Sequence, residues 1–193
     1  MPRTASRLPL RTTEDAPEAA RERLAAAEQR NGYLPNLLRV LANAPVALEA
    51  YQTLGAINGR ASLSLAEREA VQITAAALHG CGFCVAGHTA IATKQAKLDA
   101  VTIEALRAVG RVPDARLAAI ARLTGAVIAT RGRVPEADLQ AFHAAGFDDQ
   151  AALEVVLGVS LATLCNFANN LGAPPLNAEL EPYRWDGPAA AAE

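Results

Sequence analysis

The chain has 193 residues and a mass of 20.1 kDa, enough for one substantial core and short for two. Hydrophobic residues make up 51% of it but aromatics only 4%, so the core must be filled by Ala, Leu and Val, as in closely packed helices. Net charge is −2, with Lys and Arg scattered rather than gathered into a stripe, which excludes the electrostatic footprint of a nucleic-acid binder.

Three cysteines, an odd number, argue against a structural disulfide framework. Residues 1–10 carry charge but no apolar run of secretory length, and no segment is expected to reach the uninterrupted apolar length of a membrane span. The expectation is a cytoplasmic, reducing setting with no membrane partner.

Residues 1–17, rich in Pro, Thr and Arg without periodicity, read as an N-terminal arm that orders only by docking. A helical domain is expected over 18–175 and a C-terminal tail over 176–193. The first helix runs from Pro17 to Arg30 and stops at Asn31-Gly32. Pro35 opens a short second helix with Leu37, Leu38, Val40 and Leu41 on its apolar face, and a third extends from Pro45 to Ile57. Ser64 and Glu67 form a capping-box pattern before a helix from Leu65 to His79.

Gly80 breaks that helix, and Cys81-Gly82-Phe83-Cys84 opens the next, which extends to Lys94. Further helices are predicted over Leu98–Val109, Asp114–Thr130, Pro135–Ala145 and Asp149–Leu171, with Pro174-Pro175 as the final stop. No run alternates with period two, so the fold class is all-α. Segments 66–81 and 150–165 resemble each other, which suggests an internal duplication of a helical hairpin. The second copy lacks the paired cysteines, so Cys165 is expected to be a packing residue.

A Cys-x-x-Cys at a helix start sets two thiols near free N–H groups and the positive end of the dipole, which favours thiolate. His88 lies four residues past Cys84 and seven past Cys81, so a continuous helix would put all three on one face. An imidazole there can accept or relay a thiol proton near neutral pH. Glu69, early in the preceding helix, can turn inward beside the thiols as a proton carrier, while Glu67 serves as the cap. A zinc site would need about four ligands. His79, Cys81, Cys84 and His88 would have to supply them, across the Gly80 break; no metal or other cofactor is expected. His143 and His79 read as surface or helix-end residues, and Trp185 and Tyr183 as anchors that fasten the tail to a neighbouring subunit.

The pattern Glu69-x₁₁-Cys81-x-x-Cys84-x-x-x-His88, with Tyr33-Leu34-Pro35-Asn36 upstream, resembles the alkylhydroperoxidase AhpD-like branch of the carboxymuconolactone decarboxylase superfamily over 34–171. The resemblance implies an AhpD-like helical bundle that assembles into homo-oligomers, and a thiol-dependent peroxidase for small organic hydroperoxides. It implies that Cys84 meets the peroxide, Cys81 resolves it, Glu69 and His88 relay protons, and an external thiol reductant recycles the disulfide. Helix position alone argues for the opposite order, because the first cysteine of such a pair sits nearer the free N–H groups. Some members carry a second histidine just before the second cysteine, where this chain has Phe83. Decarboxylase members generally lack the cysteine pair, which argues against that reaction here. The alternatives are a non-catalytic redox sensor, a disulfide reductase or, more remotely, a carboxymuconolactone-type decarboxylase.

Overall fold

A computed structural model describes residues 6–187 and contains nine α-helices and one 3₁₀ segment among them, with no strand. The all-α expectation is borne out, and most boundaries fall where the caps put them. Helix α1 spans Glu18–Asn31 and ends on Gly32 in the left-handed region, α2 is Asn36–Leu41, and α3 is Pro45–Asn58 with proline in its first turn. Helix α4 is Leu65–Leu78, where Ser64 N–H donates to Glu67 and Glu67 N–H donates to Ser64 Oγ, closing the capping box. Helix α5 is Gly82–Lys94. Aspartates 99, 114 and 148 cap α6 (Ala100–Arg107), α7 (Ala115–Thr130) and α9 (Asp149–Gly172), and α8 is Glu136–Ala144. The predicted Leu98–Val109 helix is shorter than expected because Asp99 takes the cap and Val109 turns to positive φ.

Helix α4 is the hub. Every residue from Ala70 to Ala77 is buried, and small side chains let α5, α6, α7 and α9 pack around it. One apolar cluster joins Val71, Ile73, Ile120, Phe142 and Val155; a second joins Leu24, Leu38, Leu48, Ala76 and Val85 and includes all three cysteines. Helix α9 corrects one expectation: at 24 residues, with an 18-residue window of mean hydropathy 1.7, it is by length and composition alone long and apolar enough to pass for a membrane span. One face packs in the bundle, where Val155, Val159, Ala162 and Cys165 are buried and Gln72 Nε2 donates to the Gly158 carbonyl at 2.9 Å, while Leu153, Phe167 and Leu171 are exposed.

The described part of the N-terminal arm lies on the bundle: Ser6 Oγ donates to the Gly172 carbonyl, and Arg39 donates to the Leu10 and Arg11 carbonyls. The end of the expected C-terminal tail, 188–193, lies outside the described residues. Before that point the chain forms a 3₁₀ segment, Ala178–Tyr183, missed in the sequence. Tyr183 and Trp185 fasten it onto the same chain: Arg107 donates to the Tyr183 and Arg184 carbonyls, and Trp185 packs on the cysteine-containing cluster.

Candidate active site

The paired cysteines sit at the joint between α4 and α5. Gly80 takes φ 66°, a conformation costly for other residues, and turns the chain so that Cys81 becomes the N-cap of α5. Its Sγ accepts the Cys84 backbone N–H at 3.4 Å. The continuous-helix picture therefore holds for Cys84 and His88 but not for Cys81, which lies outside the helix and is 1% exposed.

Cys84 is surrounded by donors. Asn169 Nδ2 donates to its Sγ at 3.1 Å, and Cys165 Sγ lies 3.7 Å away. Burial alone pushes a thiol up, but contacts with Cys165, Cys81 and Asn169 and the charge of His88 outweigh it and hold Cys84 well below the ordinary thiol value. Cys81 and Cys165 are pushed the other way, above all by donating to Cys84 and then by burial. Three neighbouring thiols cannot all ionise, and the donors gathered at Cys84 favour it as the one that gives up its proton. This reverses the order that helix position alone suggested, because side-chain donors add to the N-terminal dipole at Cys84.

Glu69 is buried and its Oε2 lies 2.8 Å from His88 Nδ1. Burial works against a charged imidazole, yet the Glu69 carboxylate, with a smaller contribution from Cys84, lifts His88 above the ordinary histidine value. Nδ1 bound to the carboxylate leaves Nε2 as the ring position free to exchange a proton. Glu67 instead accepts from Ser64 and from Arg116 at 2.9 Å. Both glutamates are buried; Glu67 is held in the cap and Glu69 is paired with His88.

Cys84 and His88 line a cavity of about 1300 Å³ together with Tyr51, Phe83 and Cys165. Cys81 is not part of its wall. The Tyr51 hydroxyl stays protonated, pushed well up by burial and then by Cys165 and Cys84. His79 caps α4 and its Nδ1 meets Asn166 Oδ1 at 3.1 Å, while His143 lies at the surface beside Asp149. Among the described residues no group of three His, Cys, Asp or Glu side chains is arranged to hold a metal ion.

Sequence reasoning missed what α9 supplies. Cys165 is buried as expected but is more than packing, since it touches Cys84 and shares the cavity wall. Asn166 and Asn169 are buried on the same helix, and Asn169 reaches Cys84. Two asparagines three apart beside a cysteine, on an otherwise apolar helix, were the available signal, because buried amides are kept where a partner satisfies them.

Cys84 and His88 thus stand one turn apart on α5 at a shared cavity of a helical bundle, with the Glu69 carboxylate of α4 paired to the imidazole. Residues 45–129 match the model of the carboxymuconolactone decarboxylase family. The fold matches an uncharacterized peroxidase-related protein from Ralstonia eutropha JMP134, described as an alkylhydroperoxidase AhpD core, with TM-score 0.79, 23% identity and coverage of 92% of this chain and 95% of that one. It also matches a peroxidase-related protein from Silicibacter sp. TM1040, with TM-score 0.75, 23% identity and coverage of 92% and 93%. The debrominase Bmp8, in a Cys→Ala variant bound to 2,3,4-tribromopyrrole, matches with TM-score 0.73, 15% identity and coverage of 91% and 94%. No curated protein matches the chain. The match over 45–129 and the AhpD-like fold agree with the resemblance drawn from the motif.

Proposed function

We propose that the protein is a cysteine-dependent peroxidase that reduces small organic hydroperoxides. The observation that carries this reading is the position of Cys84, whose Sγ accepts from Asn169 Nδ2 at 3.1 Å and which shares a cavity wall with His88. Thiolate attack on the peroxide O–O bond gives an alcohol and a Cys84 sulfenic acid, which condenses with a neighbouring thiol to a disulfide and water. His88, poised by Glu69, delivers the proton that the departing alkoxide needs. An external dithiol, protein or small molecule, returns the disulfide to thiols, and the working unit is a homo-oligomer in a reducing, cytoplasmic setting. No metal or organic cofactor enters these steps.

Consumption of cumene hydroperoxide with dithiothreitol as reductant tests the reading. Steady turnover in the wild type that disappears in Cys84→Ser is expected. Absence of turnover in the wild type, with reversible oxidation of the thiols, would instead mark a redox sensor or a disulfide reductase. The size of the cavity and its aromatic lining, with the bromopyrrole-bound debrominase of the same fold, favour one competing substrate class. Bromide release from 2,3,4-tribromopyrrole belongs in the same assay.

A further inference from the structure

We propose that Cys165 is a third working thiol, which closes a disulfide with Cys84 across the α5–α9 interface. The inference deepens the proposed function and rests on Cys84 being the thiol that is oxidised. Three observations carry it. Cys165 Sγ is 3.7 Å from Cys84 Sγ, and rotation about the Cα–Cβ bonds moves sulfur atoms by more than the shift needed to reach a bond of about 2.05 Å. Cys84 and Cys165 both line the cavity while Cys81 does not, so a reductant entering there approaches a Cys84–Cys165 bond from the side of both its residues. Asn169, 3% exposed, donates through Nδ2 to Cys84 and leaves its buried Oδ1 without a partner, an acceptor placed for the O–H of a sulfenic acid on that sulfur.

The chemistry balances without a further reactant. Cys84 sulfenic acid and the Cys165 thiol form the S–S bond as the S–O bond breaks, and the departing hydroxyl takes the Cys165 proton to leave as water. Asn166 Nδ2, 3.5 Å from Cys165 Sγ and itself held by His79, steadies the sulfur for the attack. Cys81 then exchanges in: its sulfur bonds to Cys84, the Cys84–Cys165 bond breaks, and Cys165 recovers a proton as Cys81 gives one up. An external dithiol reduces either disulfide, being oxidised to its own disulfide.

The test treats the reduced full-length Cys81→Ser chain, and Cys81→Ala as a second variant, with one equivalent of cumene hydroperoxide or, separately, of diamide. Alkylation and tryptic mapping follow, because a Cys84–Cys165 bond joins peptide 69–94 to peptide 134–184. The cross-link is expected with both oxidants, with no dimedone-reactive sulfenic acid remaining; Cys81→Ser/Cys165→Ser should instead carry dimedone on Cys84. Dimedone-labelled Cys84 without the cross-link in both Cys81 variants would overturn the proposal. A cross-link formed by diamide in a chain whose Cys84 ignores the hydroperoxide would uphold the Cys84–Cys165 pair and overturn the peroxidase reading.

Discussion

Asn169 Nδ2 stands 3.1 Å from Cys84 Sγ although the two residues are 85 positions apart, one near the end of α9 and the other in the first turn of α5. The contact makes thiolate stability depend on how these helices pack. A hydrogen bond to a charged group is worth about 1.5–3 kcal/mol, and one pKa unit corresponds to about 1.4 kcal/mol. Asn169→Ala should therefore raise the Cys84 pKa by about one unit or more and move the midpoint of the pH–rate profile for its alkylation by iodoacetamide up by the same amount. The pH dependence of the alkylation rate, read by mass spectrometry, checks this.

Glu69 and His88 set a second pH dependence. The His88 pKa is raised in the folded chain, so the stabilisation from its protonated form is fully present below the unfolded value of about 6.5 and fades as pH rises through the higher folded value. Glu69→Gln should bring the His88 titration back down and flatten the dependence of Tm on pH in that window. A titration of the His88 ring protons by NMR, with thermal melts across the same range, reads both effects.

Trp185, the chain's one tryptophan, reports on the segment packed beside the cysteine motif. A Cβ on Gly82 would come within 2.8 Å of the Trp185 carbonyl oxygen, too close for backbone to absorb. Gly82→Ala should lift the 178–187 segment from α5, seen as a red shift and stronger quenching of tryptophan fluorescence. It should also lower stability by about 1–3 kcal/mol, the usual cost of overpacking.

The capping box gives a prediction away from the thiols. Ser64→Ala removes the acceptor for the Glu67 N–H and should cost about 1 kcal/mol in urea unfolding, with the Cys84 alkylation rate unchanged. A matching loss of thiol reactivity would mean that the start of α4 is coupled to its far end.

The helices were legible because their ends are written locally. Ser64 with Glu67, proline at 45, and Asp99, Asp114 and Asp148 each satisfy backbone groups within three residues, and such patterns survive any tertiary arrangement. The placement of Cys84, His88 and Glu69 was legible for the same reason, as helical phase on two consecutive helices. The contributions of Cys165 and Asn169 were not, because they depend on the packing of α9 against α5, which no local spacing encodes. Cys81 misled the helical-face argument since Gly80 makes it a cap rather than a helical residue.

The central claim is that Cys84 is the sulfur that meets a hydroperoxide, and a single-turnover experiment tests it most directly. Reduced protein is mixed with one equivalent of cumene hydroperoxide, quenched by acid alkylation and analysed for both alcohol and cysteine state. The account predicts one cumyl alcohol per chain, Cys84 protected from alkylation, and neither change in Cys84→Ser. Unchanged hydroperoxide with all three cysteines alkylated, or alcohol formed equally well by Cys84→Ser, would contradict it.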